Sequence, residues 1–148
     1  MAYHIGSPER GDVVVFRPPN DGKKYYVKRV IGIPGDHVII KDGFVFITPK
    51  NDNEEIKLDE KYLNETNYGH TYKHPPQQED TRETPFDIPE GSYFLLGDNR
   101  KGSQDSRTFG SKDPKLASVP EENIKGRVWF IALPIKKIHA IKPPMYHF

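Results

Sequence analysis

The sequence predicts a mostly β fold: antiparallel sheets forming a compact β core, with a smaller, looser α/β or β subdomain inserted into it. Three observations carry this expectation. Proline and glycine are frequent, at 14 and 12 of 148 residues, which leaves little room for long helices. Short β-branched and aromatic runs recur between turn signals. The text also changes character after Thr48 and changes back near Pro89. The expected division places the core in residues 1–36 and 90–148 and the inserted subdomain in 37–89. With 8 Tyr, 8 Phe and 1 Trp, the chain carries too much apolar bulk to be disordered by composition.

The elements follow in order. Residues 12–16 (Asp-Val-Val-Val-Phe) read as a buried strand. Pro18-Pro19 ends it and Asp21-Gly22 supplies a turn. Residues 25–31 (Tyr-Tyr-Val-Lys-Arg-Val-Ile) form the returning strand, and Gly32 to Asp36 a tight loop. Residues 37–40 and 44–47 flank Lys41-Asp42-Gly43, a strong hairpin signal. A short helix is expected within 54–65, and exposed loops or weakly packed strands across 66–90. Residues 92–96 (Ser-Tyr-Phe-Leu-Leu) are again a strand, followed by a polar loop from Gly97 to Gly110. A short helical turn is expected within 113–125, and a last strand over 127–133.

Several classes of function are excluded early. The net charge is +1, whereas an electrostatically driven nucleic-acid binder carries a clear basic excess. There is no cysteine, so disulfides, thiol catalysis and cysteine metal sites are absent. The longest apolar run, Val128 to Ile135, is interrupted by Pro134 and is far short of a membrane span. The first residues lack the basic and apolar regions of a signal peptide. The chain by itself is therefore expected to be soluble.

Two segments could carry chemistry. Within strand 25–31, side chains alternate, so Tyr26, Lys28 and Val30 share one face and Tyr25, Val27, Arg29 and Ile31 the other. Of the two cations, lysine can lose its proton when desolvated and arginine cannot. Burial that lowers a lysine by about 3 units makes it a competent base, and stability then falls as pH drops, because the unfolded state binds the extra proton. The plain structural reading is a lysine whose stem lies on the sheet and whose ammonium reaches water. The second segment is the loop Gly97-Asp98-Asn99-Arg100-Lys101-Gly102-Ser103-Gln104-Asp105-Ser106-Arg107. It concentrates hydroxyls, carboxylates and guanidinia after an apolar strand, as sites do, and as solvated turns held by their own side chains also do.

These segments and their flanks resemble one family. Arg10-Gly11-Asp12 with Val13 to Phe16, then Tyr26 to Asp36, then Gly97-Asp98-Asn99-Arg100 with Ser103, Asp105, Ser106 and Arg107, are similar to three ordered signature boxes of type I signal peptidases. Gly126 to Ile135 is similar to that family's closing strand. Three boxes in order are far more specific than any one; Arg10-Gly11-Asp12 alone is only a turn entering a strand. The resemblance implies a Ser/Lys-dyad serine endopeptidase that cleaves signal peptides from exported preproteins after small residues (Ala-x-Ala). It implies the extracytoplasmic face of the cytoplasmic membrane for the full-length protein, signal peptides and the membrane surface as partners, and no cofactor, metal or nucleic acid. By resemblance, residues 1–36 and 90–148 are a catalytic-type β core and 37–89 its cap. Lys28 is the general base and Ser103 the hydroxyl that orients it. Arg29 pairs with Asp98, Asp105 with Arg107, and Tyr26 and Val27 lie on the strand that receives substrate. An extended peptide adding to a sheet edge fits that assignment. Gly102 departs from the family, where many members carry a side-chain amide.

The larger departure concerns the nucleophile. The family's serine sits in a Ser-Met-x-Pro-Thr box after a membrane anchor, and these 148 residues contain no Ser-Met pair. Ser7, directly before Pro8, lacks the required neighbours. The expectation is a piece of an active enzyme that begins past the anchor and serine box, inactive alone because a base without a nucleophile has nothing to activate. The alternative is a naturally serine-less relative acting as a binding or assembly factor. Self-cleaving repressors share the dyad but would need a DNA-binding module, and an OB-like binding module would need a basic stripe. His70 and His74 stand four apart without an evident helix and read as solvent histidines. Asn64-Glu65-Thr66 is a formal glycosylation acceptor that matters only on a eukaryotic secretory route.

Overall fold

The computed structural model describes residues 6–73 and 83–128. Strands β1 (Val13–Phe16), β2 (Tyr26–Gly32), β3 (His37–Lys41), β4 (Phe44–Thr48), β5 (Ile56–Lys57), β6 (Thr84–Asp87), β7 (Ser92–Leu96), β8 (Val119–Pro120) and β9 (Ile124–Arg127) build two antiparallel sheets. One runs β8-β7-β2-β1-β9 and the other β5-β4-β3-β6. The fold is mostly β, as the turn density and strand patterning predict.

β2 is the centre of the larger sheet and is covered on both faces. On one face Val14, Phe16, Tyr26 and Val30 pack with Tyr93, Leu95 and Phe109. On the other, Ile31, Phe94 and Leu96 pack against Val38, Ile40, Val45 and Ile47 of the second sheet. A strand buried on both faces reads as a nearly continuous apolar run, which makes a buried lysine within it conspicuous. Gly32, at the end of β2, is a contact point between the sheets. A Cβ there would lie 2.9 Å from Val38 and 3.0 Å from Phe94.

The hairpin at Asp42-Gly43 has a two-residue loop between paired Lys41 and Phe44. Its φ values are 54° at Asp42 and 84° at Gly43, the left-handed pair that a type I′ turn requires. Arg10 and Asp36 clamp the first two boxes together. The guanidinium lies 2.6 Å from the Asp36 carboxylate and its Nε donates to the Ile31 carbonyl at 3.2 Å. Asp36 also accepts from the Ile33 amide at 2.9 Å.

One local expectation is corrected and two are refined. No helix forms in 54–65. Ile56–Lys57 pair with β4 as β5, the Leu58 amide donates to the Val45 carbonyl at 2.9 Å, and turns follow. Ile56 and Leu58 stand two apart, a strand period, and the pairing with β4 takes them. Over 113–125 the helical turn is two short 3-10 turns, Pro114–Ala117 and Glu121–Asn123, separated by β8. The closing strand runs Ile124–Arg127, earlier than the expected 127–133, of which residues 129–133 lie outside the described ones. Among the described residues, no helix is long and apolar enough to cross a membrane.

Candidate active site

β2 carries Lys28 into the interior. Its residue is 1% exposed, because β1 flanks it at Val14 and the 97–107 loop closes over it. The plain reading of a strand lysine reaching water is therefore wrong. The sheet is covered where the ammonium emerges, so the stem has no route to solvent. Lys28 Nζ donates to Ser103 Oγ at 3.2 Å and lies 5.6 Å from the Tyr26 ring centroid. Burial pushes its pKa from 10.5 down to about 8, with Asp105 opposing, Arg107 assisting and Asp98 opposing. At pH 7 that leaves roughly one amine in ten neutral, several-hundred-fold more than in an ordinary lysine.

A stability signature follows. Between about pH 8 and 10.5 the unfolded lysine binds a proton that the folded one has lost. Stability attributable to Lys28 thus rises with pH across that window and is lost as pH falls back through it. The gap corresponds to about 3 kcal/mol. Urea unfolding of the parent and of Lys28→Met should diverge by that order between pH 7.5 and 10.5, and be parallel below pH 7. Parallel curves throughout would contradict a buried amine.

The loop that meets Lys28 is held from below. Asp105 caps the one-turn helix α1 (Ser106–Phe109) by accepting from the Arg107 amide. The same carboxylate accepts from the Gly97 amide at 3.1 Å and takes a two-pronged ion pair from Arg107 at 2.9 and 2.7 Å. Ser106 Oγ accepts from the Leu95 amide at 2.9 Å, and Arg107 Nη1 donates to the carbonyls of Tyr72 and Arg100 at 2.8 and 3.1 Å. Both members of the Asp105–Arg107 pair are fully buried, so each depends on the other for its charge to be tolerated. Gly97 is obligatory on steric grounds. A Cβ at that position would sit 1.6 Å from Ser103 Oγ and 3.2 Å from Lys28 Nζ.

Arg29, on the opposite face of β2, pairs with Asp98 through two bonds of 3.0 and 2.8 Å. It donates to the Gly11 carbonyl at 2.9 Å and lies 4.0 Å over the Tyr62 ring. Tyr26 and Val27 are both buried, and Tyr26 OH donates to Gln104 Oε1 at 3.2 Å. Pairing of β2 with β7 begins at Arg29 opposite Leu96. Tyr26 to Lys28 therefore lie beyond the last paired residue on that side.

Sequence reasoning placed Gly97 and Arg100 in the third box without giving either a role, and missed Glu60 and Thr71. Arg100 is wholly buried. Its Nε donates to the Gly97 carbonyl at 2.9 Å, and its Nη1 to Glu60 Oε1 at 2.9 Å and Thr71 Oγ1 at 2.8 Å; Nη2 closes the pair with Glu60 Oε2. Burial disfavours its charge, yet the Glu60 carboxylate overcomes this and raises its pKa. Tyr62 OH donates to the same carboxylate at 2.6 Å, and burial together with that negative charge raises the phenol. The one available signal was the arginine itself, directly after the Asp98-Asn99 turn, since an apolar surrounding requires a counter-charge from somewhere.

Chemically, the arrangement is an amine that exchanges its proton near neutral pH, fixed beside a hydroxyl. Ser7 is exposed. Among the described residues, no group of three His, Asp or Glu side chains is placed to hold a metal ion. His70 meets the Tyr72 ring, and His74 lies outside the described residues.

Known proteins resemble this chain over most of its length. Residues 1–133 match the family described as signal peptidase, peptidase S26. The chain is 38% identical over 143 residues to a signal peptidase I of Rickettsia typhi, covering 84% of this chain and 52% of that protein. It is 38% identical over 148 residues to a signal peptidase I of Rickettsia felis, covering 87% and 53%. The chain thus spans about half the length of these curated relatives. A crystal structure of a signal peptidase I from Enterococcus faecalis V583 superposes with a TM-score of 0.61 at 26% identity, over 85% of this chain and 100% of that one.

Proposed function

The chain belongs to the signal peptidase family, peptidase S26, and on that premise we propose that it forms the β core of a Ser/Lys-dyad endopeptidase that removes signal peptides from exported preproteins. The observation that carries the proposal is the buried Lys28 amine held 3.2 Å from Ser103 Oγ. In this reading Lys28 takes the proton of a serine hydroxyl as that oxygen attacks the scissile carbonyl, and returns it to the leaving amine. Ser103 accepts one N–H of the amine and so directs its lone pair. Asp105–Arg107 and Arg29–Asp98 hold the loop from two sides. The substrate enters extended, adding to β2 at Tyr26 and Val27, and shallow pockets select small residues in an Ala-x-Ala pattern. Residues 37–89 act as the cap. The reaction takes place at the extracytoplasmic face of the cytoplasmic membrane, with signal peptides and the membrane surface as partners.

The nucleophile is not assigned to any serine of these 148 residues. The chain alone is accordingly expected to show no turnover of a signal-peptide substrate. Joined upstream to a relative's serine-bearing segment, it is expected to cleave. Turnover by the 148 residues alone, lost in Lys28→Ala, would place the nucleophile within them. A joined form that stays silent, while the chain binds peptide or partner equally well with Lys28→Ala, would favour the serine-less binding or assembly factor.

A further inference from the structure

The segment between β5 and β6 supplies a carboxylate to the lysine site from 40 residues away. Glu60 is 3% exposed, and its two oxygens are occupied by Arg100 and Tyr62. Arg100 in turn spends its Nε on the Gly97 carbonyl. Gly97 is the residue against which Ser103 is packed, too closely for any side chain. These contacts form one chain of residues: Glu60, Arg100, Gly97, Ser103, Lys28. We propose that Glu60 is a positioning residue of the lysine site: through Arg100 it fixes the Gly97 carbonyl and so keeps Ser103 pressed against Lys28. This rests on the reading of Lys28 as the base.

The alternative is that the pair is only an internal fastening. A buried arginine without its carboxylate draws water or leaves its place, so a merely structural role and a positioning role both lower stability. They differ at Lys28. The charges that act on Lys28 are Asp105, Arg107 and Asp98. Removing Glu60 and Arg100 together leaves the net charge unchanged. A change in Lys28 titration on losing the pair therefore reports loosening and hydration of the loop rather than a charge effect.

The experiment follows the Lys28 side-chain methylene by carbon NMR against pH in the 148-residue chain, with parent, Glu60→Gln and the apolar pair Glu60→Leu/Arg100→Met. The double variant replaces a buried ion pair by apolar groups of similar volume, which restores most stability, but leaves the Gly97 carbonyl without its donor. The double variant is expected to raise the Lys28 midpoint from about 8 toward 10.5, and Glu60→Gln to raise it less because the stranded Arg100 cation opposes the rise, each unit lowering the neutral fraction at pH 7 about tenfold. A serine-bearing form should lose turnover at pH 7 by the same factor and regain it at higher pH. A folded double variant whose midpoint stays at about 8 overturns the proposal and leaves the reading of Lys28 intact. A parent midpoint at the ordinary lysine value overturns that reading, and the positioning role with it.

Discussion

Replacing Lys28 by methionine in a serine-bearing form is expected to lower turnover by about 10²- to 10⁴-fold, the range that a positioned general base contributes. Methionine keeps the unbranched stem and fills the same channel, so the loop 97–107 should stay closed and the chain folded. Lys28→Arg is the sharper variant. It retains a positive charge beside Ser103, yet a guanidinium does not release its proton in proteins. If the residue acts as a base, arginine fails as completely as methionine. If it acts only as a fixed cation, arginine recovers a large part of the rate. The acid limb of the parent's profile should have its midpoint at about 8, with activity rising as pH passes upward through it, because only the neutral amine accepts a proton. A parent profile flat from pH 6 to 9 would remove Lys28 from the chemistry.

Asp105→Ala is expected to be the most damaging change to stability, by about 3–5 kcal/mol, the cost of leaving a buried charge without its partner. Asp105 does three jobs with one carboxylate: it caps α1, holds the Gly97 amide and neutralises Arg107. Out of the roughly 5–15 kcal/mol of a small domain, such a loss shifts the urea midpoint by a large fraction. Asp105→Ala/Arg107→Met should recover a good part of it, since no charge is then stranded. The Gly97 amide and the helix cap stay unsatisfied, so recovery should be incomplete. A single variant that unfolds within 1 kcal/mol of the parent would show that water replaces the carboxylate and that the pair is not sealed.

Much of the strand framework was legible. Val13–Phe16, Tyr26–Gly32 and Ser92–Leu96 announce themselves by β-branched and aromatic runs between turns, and Asp42-Gly43 marks its own hairpin. The 54–65 segment was misread because its acidic and lysine-rich text resembles a helix surface. Its two apolar residues nearest β4 are claimed by that strand, and backbone pairing outweighs weak local propensity. Lys28 and Ser103 were legible only through the resemblance of their surroundings. By alternation alone Lys28 is one of two adjacent cations, and nothing local says which is dry.

What the sequence determined unaided is written in short spacing: most turns, strand faces, the β class, the want of a strong charge bias. Local geometry depends on a few consecutive residues, so a few consecutive residues suffice to read it. The tertiary structure alone decided how Lys28 is sealed beside a hydroxyl 75 residues on, and that Arg100 is neutralised by a glutamate 40 residues back. Desolvation and ion pairing arise from which surfaces close over one another, and that is settled by the packing of whole sheets rather than by any stretch of chain.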